Sequence, residues 1–441
     1  MRDLMMLGGM LVFVPLAISD ALAAYILWGW TAVLSPVYYV WGFMQGVRFN
    51  LIFAGISLLL LFLKRRNTRP FKANSTFLLI LALLAHSMLC ALFSYPFNPF
   101  NAVLSEQFFK SMLFCLVMFW FVVDRHDMHA LLVMFGLGLG FHGVVEGLKV
   151  IASGGSHHVS GIPTSMMSDN NHFAVGMVVV IPILYYLYQY SSKRLVRYGF
   201  LAGFFLTIVS VLGTNSRGGF IALGFVGVWF FLTSRHKLKT LLLIGLAVTT
   251  IFLAAPESWF RRMDSIGQAG EDSSFMGRVV AWKVSSAIAL RNPMFGGGFH
   301  ALQVQHVWEQ FKYSEGLLGF VTTPEPDLLA KAAHSIYFEI MGDLGFFGFF
   351  LFLGVFLNSL LARYHIKLLV RNAREEYAWA LDMADALMLA ILAYLVGGAA
   401  VSLAYFEVPY MLVMLMEMLR QYVRNEMAGL PEQLRKKKRL P

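Results

Sequence analysis

Residues 76–94 read TFLLILALLAHSMLCALFS, nineteen positions without an Asp, Glu, Lys or Arg. Shortly before them, residues 64–72 read KRRNTRPFK, with five cations and no anion. A helix needs about 20 apolar residues to cross a hydrocarbon layer about 30 Å thick. A basic cluster at one mouth of such a run marks the cytoplasmic side, because cytoplasmic loops carry the excess of Lys and Arg. The two stretches together predict a membrane-spanning helix and its direction.

The rest of the chain repeats the pattern. Its 441 residues are 58% hydrophobic and 14% charged, against about 25% charged in soluble domains. Further apolar runs lie near 4–18, 47–63, 104–123, 130–151, 173–190, 198–213, 218–233, 238–255, 336–361, 384–403 and 410–422, which makes twelve expected spans. The aromatic-rich stretch 21–41, with Pro36 near its end, is read as re-entrant or interfacial. Basic residues recur in alternate loops: Lys193, Arg194 and Arg197; Arg235, Lys237 and Lys239; Arg363, Lys367, Arg371 and Arg374; and Arg435 to Arg439 in the tail. Loops 95–101 and 152–172 contain no Lys or Arg. With both termini cytoplasmic, every loop fits except 124–129, which carries Arg125 alone. The formal charge of +10 is thus accounted for by topology, and no nucleic-acid partner is expected. Cys90 and Cys115 sit inside apolar runs, without the spacing of a metal site or a disulfide framework.

The expected architecture is an all-α polytopic membrane protein of about twelve transmembrane helices. Nine spans fall in 1–255, a long outward segment in 256–333, three spans in 334–424 and a basic cytoplasmic tail in 425–441. The outward segment is too long to be a turn and is partly helical. Residues 274–290 read as an amphipathic helix with Val280, Val284, Ala287 and Ile288 on one stripe. Asn292-Pro293 and Gly296-Gly297-Gly298 end it, and a second helix is expected over 301–313.

Ionisable residues at membrane depth or gathered at one face are functional candidates. Arg217 lies in the tight outward turn Gly213-Thr214-Asn215-Ser216-Arg217-Gly218-Gly219, where the positive-inside rule disfavours it. A guanidinium there forks onto phosphate oxygens or snorkels to the interface. Arg278 opens the amphipathic helix, with Trp282 one turn later. His334 marks the start of the tenth span, where the helix dipole and neighbouring arginines oppose protonation and leave a neutral imidazole able to accept a proton. Asp169-Asn170-Asn171-His172 precedes the sixth span, as a helix cap or as ligand groups. Arg48 and Lys283 complete the outward set. The remaining histidines, His157 and His158 among them, form no metal-ligand pattern.

These elements resemble a known family. His334-Ser335, followed after nine residues by Gly345 and after two more by Gly348, is similar to the signature of the bacterial O-antigen ligases. The Thr214–Gly218 turn resembles their Ser-Arg-Gly element. Arg278 with Trp282, then Asn292-Pro293 and the glycine run, resembles their loop helix and its exit, and Asp169-x-Asn171-x-x-Ala174 fits a recurrent element. The first seventy residues are more similar to exosortase-associated ligase-type proteins. The resemblance implies an inner-membrane glycosyltransferase whose long loop and active site face the periplasm. It implies transfer of a glycan from undecaprenyl pyrophosphate to a sugar hydroxyl of lipid A–core, in lipopolysaccharide biosynthesis. His334 would act as general base, and Arg217 and Arg278 would bind pyrophosphate. Arg48, Asn171 and Lys283 are candidate substrate contacts, and neither a metal nor another cofactor is implied. An O-antigen polymerase or a protein O-oligosaccharyltransferase of the same superfamily would use the same donor. A lipid-linked glycan flippase would show internal repeats and mid-depth polar groups, which the sequence lacks.

Overall fold

The computed structural model describes residues 1–63, 73–163, 165–233, 237–238, 241, 245 and 273–429. The basic clusters at 64–72 and 435–439, Arg261, Arg262 and almost all of the expected span 238–255 lie outside the described residues. In chain order the helices are α1 (Arg2–Ser19), α2 (Ala21–Leu34), α3 (Phe49–Leu63), α4 (Ser75–Leu92), α5 (Phe100–Phe121), α6 (Arg125–Ala152) and α7 (Asn170–Tyr190). There follow α8 (Arg194–Gly213), α9 (Arg217–Thr233), α10 (Ser273–Arg291), α11 (Gln305–Phe311), α12 (Ile336–Leu369), α13 (Ala378–Gly398) and α14 (Glu407–Gly429). No strand occurs among the described residues.

Among the described residues eight helices, α1, α4 to α8, α12 and α13, are long and apolar enough to cross a membrane by length and composition, and the protein is a multi-pass membrane protein. Of the other expected spans, α3 and α9 are apolar, with 15 and 17 described residues, each up to the point where the described residues stop. Helix α14 has the length, but Glu407, Glu417, Arg420, Arg424 and Glu426 lower its hydropathy. The stretch 21–41 folds as α2 and one 3-10 turn at Pro36–Tyr39, and a second 3-10 turn follows at Phe43–Gly46. Helix α2 is packed into the bundle, with Tyr25 stacked on Phe114 and Phe121 of α5 at 4.3 and 4.6 Å.

Helix α7 is the central staff, almost wholly buried and in contact with α6, α8, α9 and α13. In a bilayer the lipid is as apolar as the side chains, so close packing holds helices together more than hydrophobic burial does. Gly147 of α6 shows this, since a Cβ there would stand 2.1 Å from the Leu206 carbonyl oxygen of α8. Polar caps start the helices: Asp20 on α2, Asn74 on α4, Asp169 on α7, and a reciprocal Asp124–Asp127 capping box on α6. That box occupies the 124–129 turn, whose thin basic charge departs from the alternation of the other loops.

The segment between α9 and α12 has its own small core. Val280, Val284, Ala287 and Ile288 of α10 pack with Val307, Trp308 and Phe311 of α11. The expected second helix is shorter than 301–313, with a 3-10 turn at Ala301–Gln303 before α11. Helix α12 is broken at Gly345, which has φ 70° and ψ −175°. A break leaves carbonyls without intrahelical partners, and in a low-dielectric setting these must be satisfied from elsewhere. Here the amides of Gly297 and Gly298 donate to the carbonyls of Gly342 and Asp343, both at 2.9 Å. His86 of α4 lies 3.0 Å from the Leu344 carbonyl. The turn after α10 is therefore the mate of the break in α12.

Candidate active site

Three helices begin at one end of the bundle. The head of α7 and the head of α9 are tied by the Ser216 hydroxyl, which donates to Asn171 Oδ1 at 2.8 Å, and by Asn170 Nδ2, which donates to the Thr214 carbonyl at 2.9 Å. Ser216 also accepts the Gly219 amide at 3.1 Å, capping α9 so that Arg217 is its first residue. Asn215 takes the left-handed conformation that makes this turn so short. A Cβ on Gly218 would lie 3.0 Å from Ala400, so the turn abuts the crossing between α13 and α14. Two residues on in that crossing, the Ser402 hydroxyl accepts the His334 amide at 2.8 Å. The heads of α7, α9 and α12 thus meet at the end opposite Lys193, Arg194 and Arg197, which follow the far end of α7. Helix N-termini carry partial positive charge and unpaired amides, and so favour an anion.

His334 is half-buried and left-handed, with φ 47°. Trp282 explains how Arg278 comes to it. The indole N–H donates to the Ala333 carbonyl at 2.8 Å, and the ring stacks on Phe338 at 5.2 Å and 8°. Helix α10 is thereby pinned on both sides of His334, and Arg278, one turn before Trp282, falls within electrostatic range of the imidazole. Burial first, then the charges of Arg278 and His172, hold the His334 pKa below the ordinary histidine value, against the opposing pull of Asp169 and Glu339. The imidazole is therefore neutral at pH 7 and can accept a proton. If transfer depends on that neutral form, its rate rises with pH through the depressed pKa and is flat above it. The acid limb of the pH–rate profile is expected below that of an unperturbed histidine, about pH 6.5. A limb at or above that value would contradict the assignment.

The other sequence candidates are placed as follows. Both ends of the Asn171 amide are engaged within the protein, Oδ1 by Ser216 and Nδ2 on Asn170 Oδ1 at 3.2 Å. Lys283 is buried and pairs with Glu315 Oε2 at 2.5 Å and Thr323 Oγ1 at 3.3 Å, pinning the 315–323 strap to α10. Arg48, exposed before α3, is in range of Glu106 on α5. The sequence pattern did not single out a buried set beside His334: Glu339 and Asp343 on α12, His300 after the glycine turn, and Ser402 and Tyr405 in the crossing. Two carboxylates four residues apart at the head of an apolar run were the available signal.

Residues 202–353 match the family model described as O-antigen ligase, and residues 1–192 match a family of unknown function, DUF5935. No curated protein matches the chain. The first match spans Arg217, Arg278, the turn at Gly296, His334 and the break at Gly345. Residues 202–353, about a third of the chain, thus carry an O-antigen ligase family region.

Proposed function

We propose that the protein is an O-antigen ligase. It transfers a glycan from undecaprenyl pyrophosphate to a sugar hydroxyl of lipid A–core on the periplasmic face of the inner membrane. The observation that carries this reading is a neutral imidazole, His334, with Arg278 in range, at the meeting of three helix heads. His334 takes the proton of the acceptor hydroxyl as its oxygen attacks the anomeric carbon. The bond from that carbon to the pyrophosphate oxygen breaks, and its electron pair leaves with undecaprenyl pyrophosphate. Attack from the opposite face inverts the anomeric centre. Arg217, Arg278 and the helix heads stabilise the charge that grows on the departing pyrophosphate. The pyrophosphate is already a good leaving group, so the chemistry asks for no metal. In this reading residues 273–333 orient donor against acceptor.

The test is reconstitution in liposomes with purified undecaprenyl-pyrophosphate glycan, lipid A–core and EDTA. Glycosylated lipid A–core is the expected product. Elongation of the carrier-linked glycan with none transferred to lipid A–core would make the protein a polymerase. In the same assay Arg278→Lys keeps the charge and loses the forked geometry, and is expected to lower kcat roughly 10²-fold. An Arg278→Lys rate equal to wild type would remove Arg278 from the pyrophosphate site.

A further inference from the structure

Five residues along the chain from His334 begins a set of ionisable side chains that the transfer chemistry leaves unused. Glu339 and Asp343 are 4% and 1% exposed. Asp343 accepts the amides of His300 and Ala301 at 2.8 and 3.0 Å and the Tyr405 hydroxyl at 2.9 Å. Glu339 Oε2 accepts the Ala404 amide at 2.9 Å, and its Oε1 lies 3.1 Å from His300 Nε2. That last contact is out of line for a hydrogen bond, and neither atom has such a partner among the described residues. Buried carboxylates are costly without a counter-charge. His300 supplies one: burial opposes its protonation, but the nearby Glu339 and Asp343 outweigh burial and raise its pKa.

Glu339 is joined to His334 by a strut and by a field. The strut is the 401–406 crossing: Glu339 holds the Ala404 amide, the hydroxyls of Tyr394 and Tyr410 hold the carbonyls of Leu403 and Ala404 at 2.9 and 2.7 Å, and Ser402 holds the His334 amide. His334 has a left-handed backbone, which persists only where its surroundings over-determine it. The field comes from the charged groups that face the imidazole: Arg278 from α10, His172 and Asp169 from the head of α7, and Glu339 from α12. Arg278 and His172 oppose an imidazolium, and the two carboxylates favour one.

We propose that Glu339, clamped between His300 and the Ala404 amide, is the positioning residue for His334, fixing its backbone through Ser402 and supplying negative charge towards the imidazolium that forms as it takes a proton. The inference rests on His334 being the base, and it gives the buried set a part in the same reaction. Glu339 touches no reacting atom. Its contribution reaches the chemistry through His334.

Glu339→Gln keeps an oxygen for the Ala404 amide and removes the charge. Its effect is read first without any substrate, from the titration of ¹³C-labelled histidines by NMR in detergent micelles, with the His334 signal assigned by its absence in His334→Ala. The His334 titration is expected to move to lower pH in Glu339→Gln. In the transfer assay kcat is expected to fall roughly tenfold or more, with the donor KM within about twofold of wild type. An unchanged His334 titration, in a variant that unfolds at the wild-type temperature, overturns the inference. Should Glu339→Gln not fold, Ser402→Ala tests the strut from its other end, with a lower kcat at constant donor KM expected. A Ser402→Ala enzyme with wild-type kcat overturns it. A titration that moves in a protein transferring no glycan to any acceptor upholds the role of Glu339 and overturns the ligase reading.

Discussion

Alanine at His334 is expected to lower the rate of glycan transfer by about 10²–10⁴-fold, the usual worth of a positioned general base, while donor binding is retained. The reasoning separates binding from chemistry. The groups suited to pyrophosphate are Arg217, Arg278 and the helix heads around them, none of which the substitution removes. The backbone at His334 has φ 47°, which alanine adopts at a cost similar to that of other residues bearing a Cβ, and its amide still reaches Ser402. Carrier-linked glycan binding and transfer to lipid A–core, measured on one preparation, give the two quantities independently. Loss of transfer with donor affinity intact is the expected pair. An undiminished rate would sink the assigned mechanism whichever acceptor is used, and loss of both together would make His334 a binding residue.

Gly345→Ala is expected to destabilise the whole protein more than any change at the charged site. The residue has φ 70° and ψ −175°, and an added Cβ would stand 2.5 Å from the Pro293 carbonyl oxygen. The backbone conformation alone costs about 1–3 kcal/mol for a residue with a side chain. Relief by movement of residues 293–298 would break the bonds from Gly297 and Gly298 to α12, leaving polar groups unpaired at further cost. A large drop in thermal unfolding temperature in detergent, or failure to accumulate in the membrane, is the expected outcome. A variant that melts with wild type would mean that the break in α12 closes without penalty.

The membrane class was legible because uncharged runs as long as 76–94 are rare outside membrane spans. Apolar runs with at most two charged residues correspond to α4, α5, α6, α7, α8, α12 and α13. Packing was harder to read: the aromatic stretch 21–41 was read as re-entrant or interfacial from the loop charges, and hydropathy does not show that Tyr25 within it stacks on α5. At the candidate site, the signals that were visible are local ones: an arginine in a turn that should have none, a histidine at a span head, and a cap before α7. The pairing of His300 with Glu339 was not visible, since 39 positions separate them and nothing in either neighbourhood names the other. Lys283 shows the converse case. A lysine on an outward loop looked available to substrate, whereas the fold commits it to Glu315 and Thr323.

The turn after α10 and the break in α12 also limit what can be exchanged between members of the superfamily. The carbonyls of Gly342 and Asp343 depend on amides that lie 45 residues earlier in the chain. A chimera that takes helix α12 from one parent and residues 292–298 from another must match a glycine with φ 70° in one to a proline carbonyl in the other. The two stretches form one heritable unit, and the strap between them is tied to α10, through Lys283 to Glu315 and Thr323 and through Trp282 to the Ala333 carbonyl.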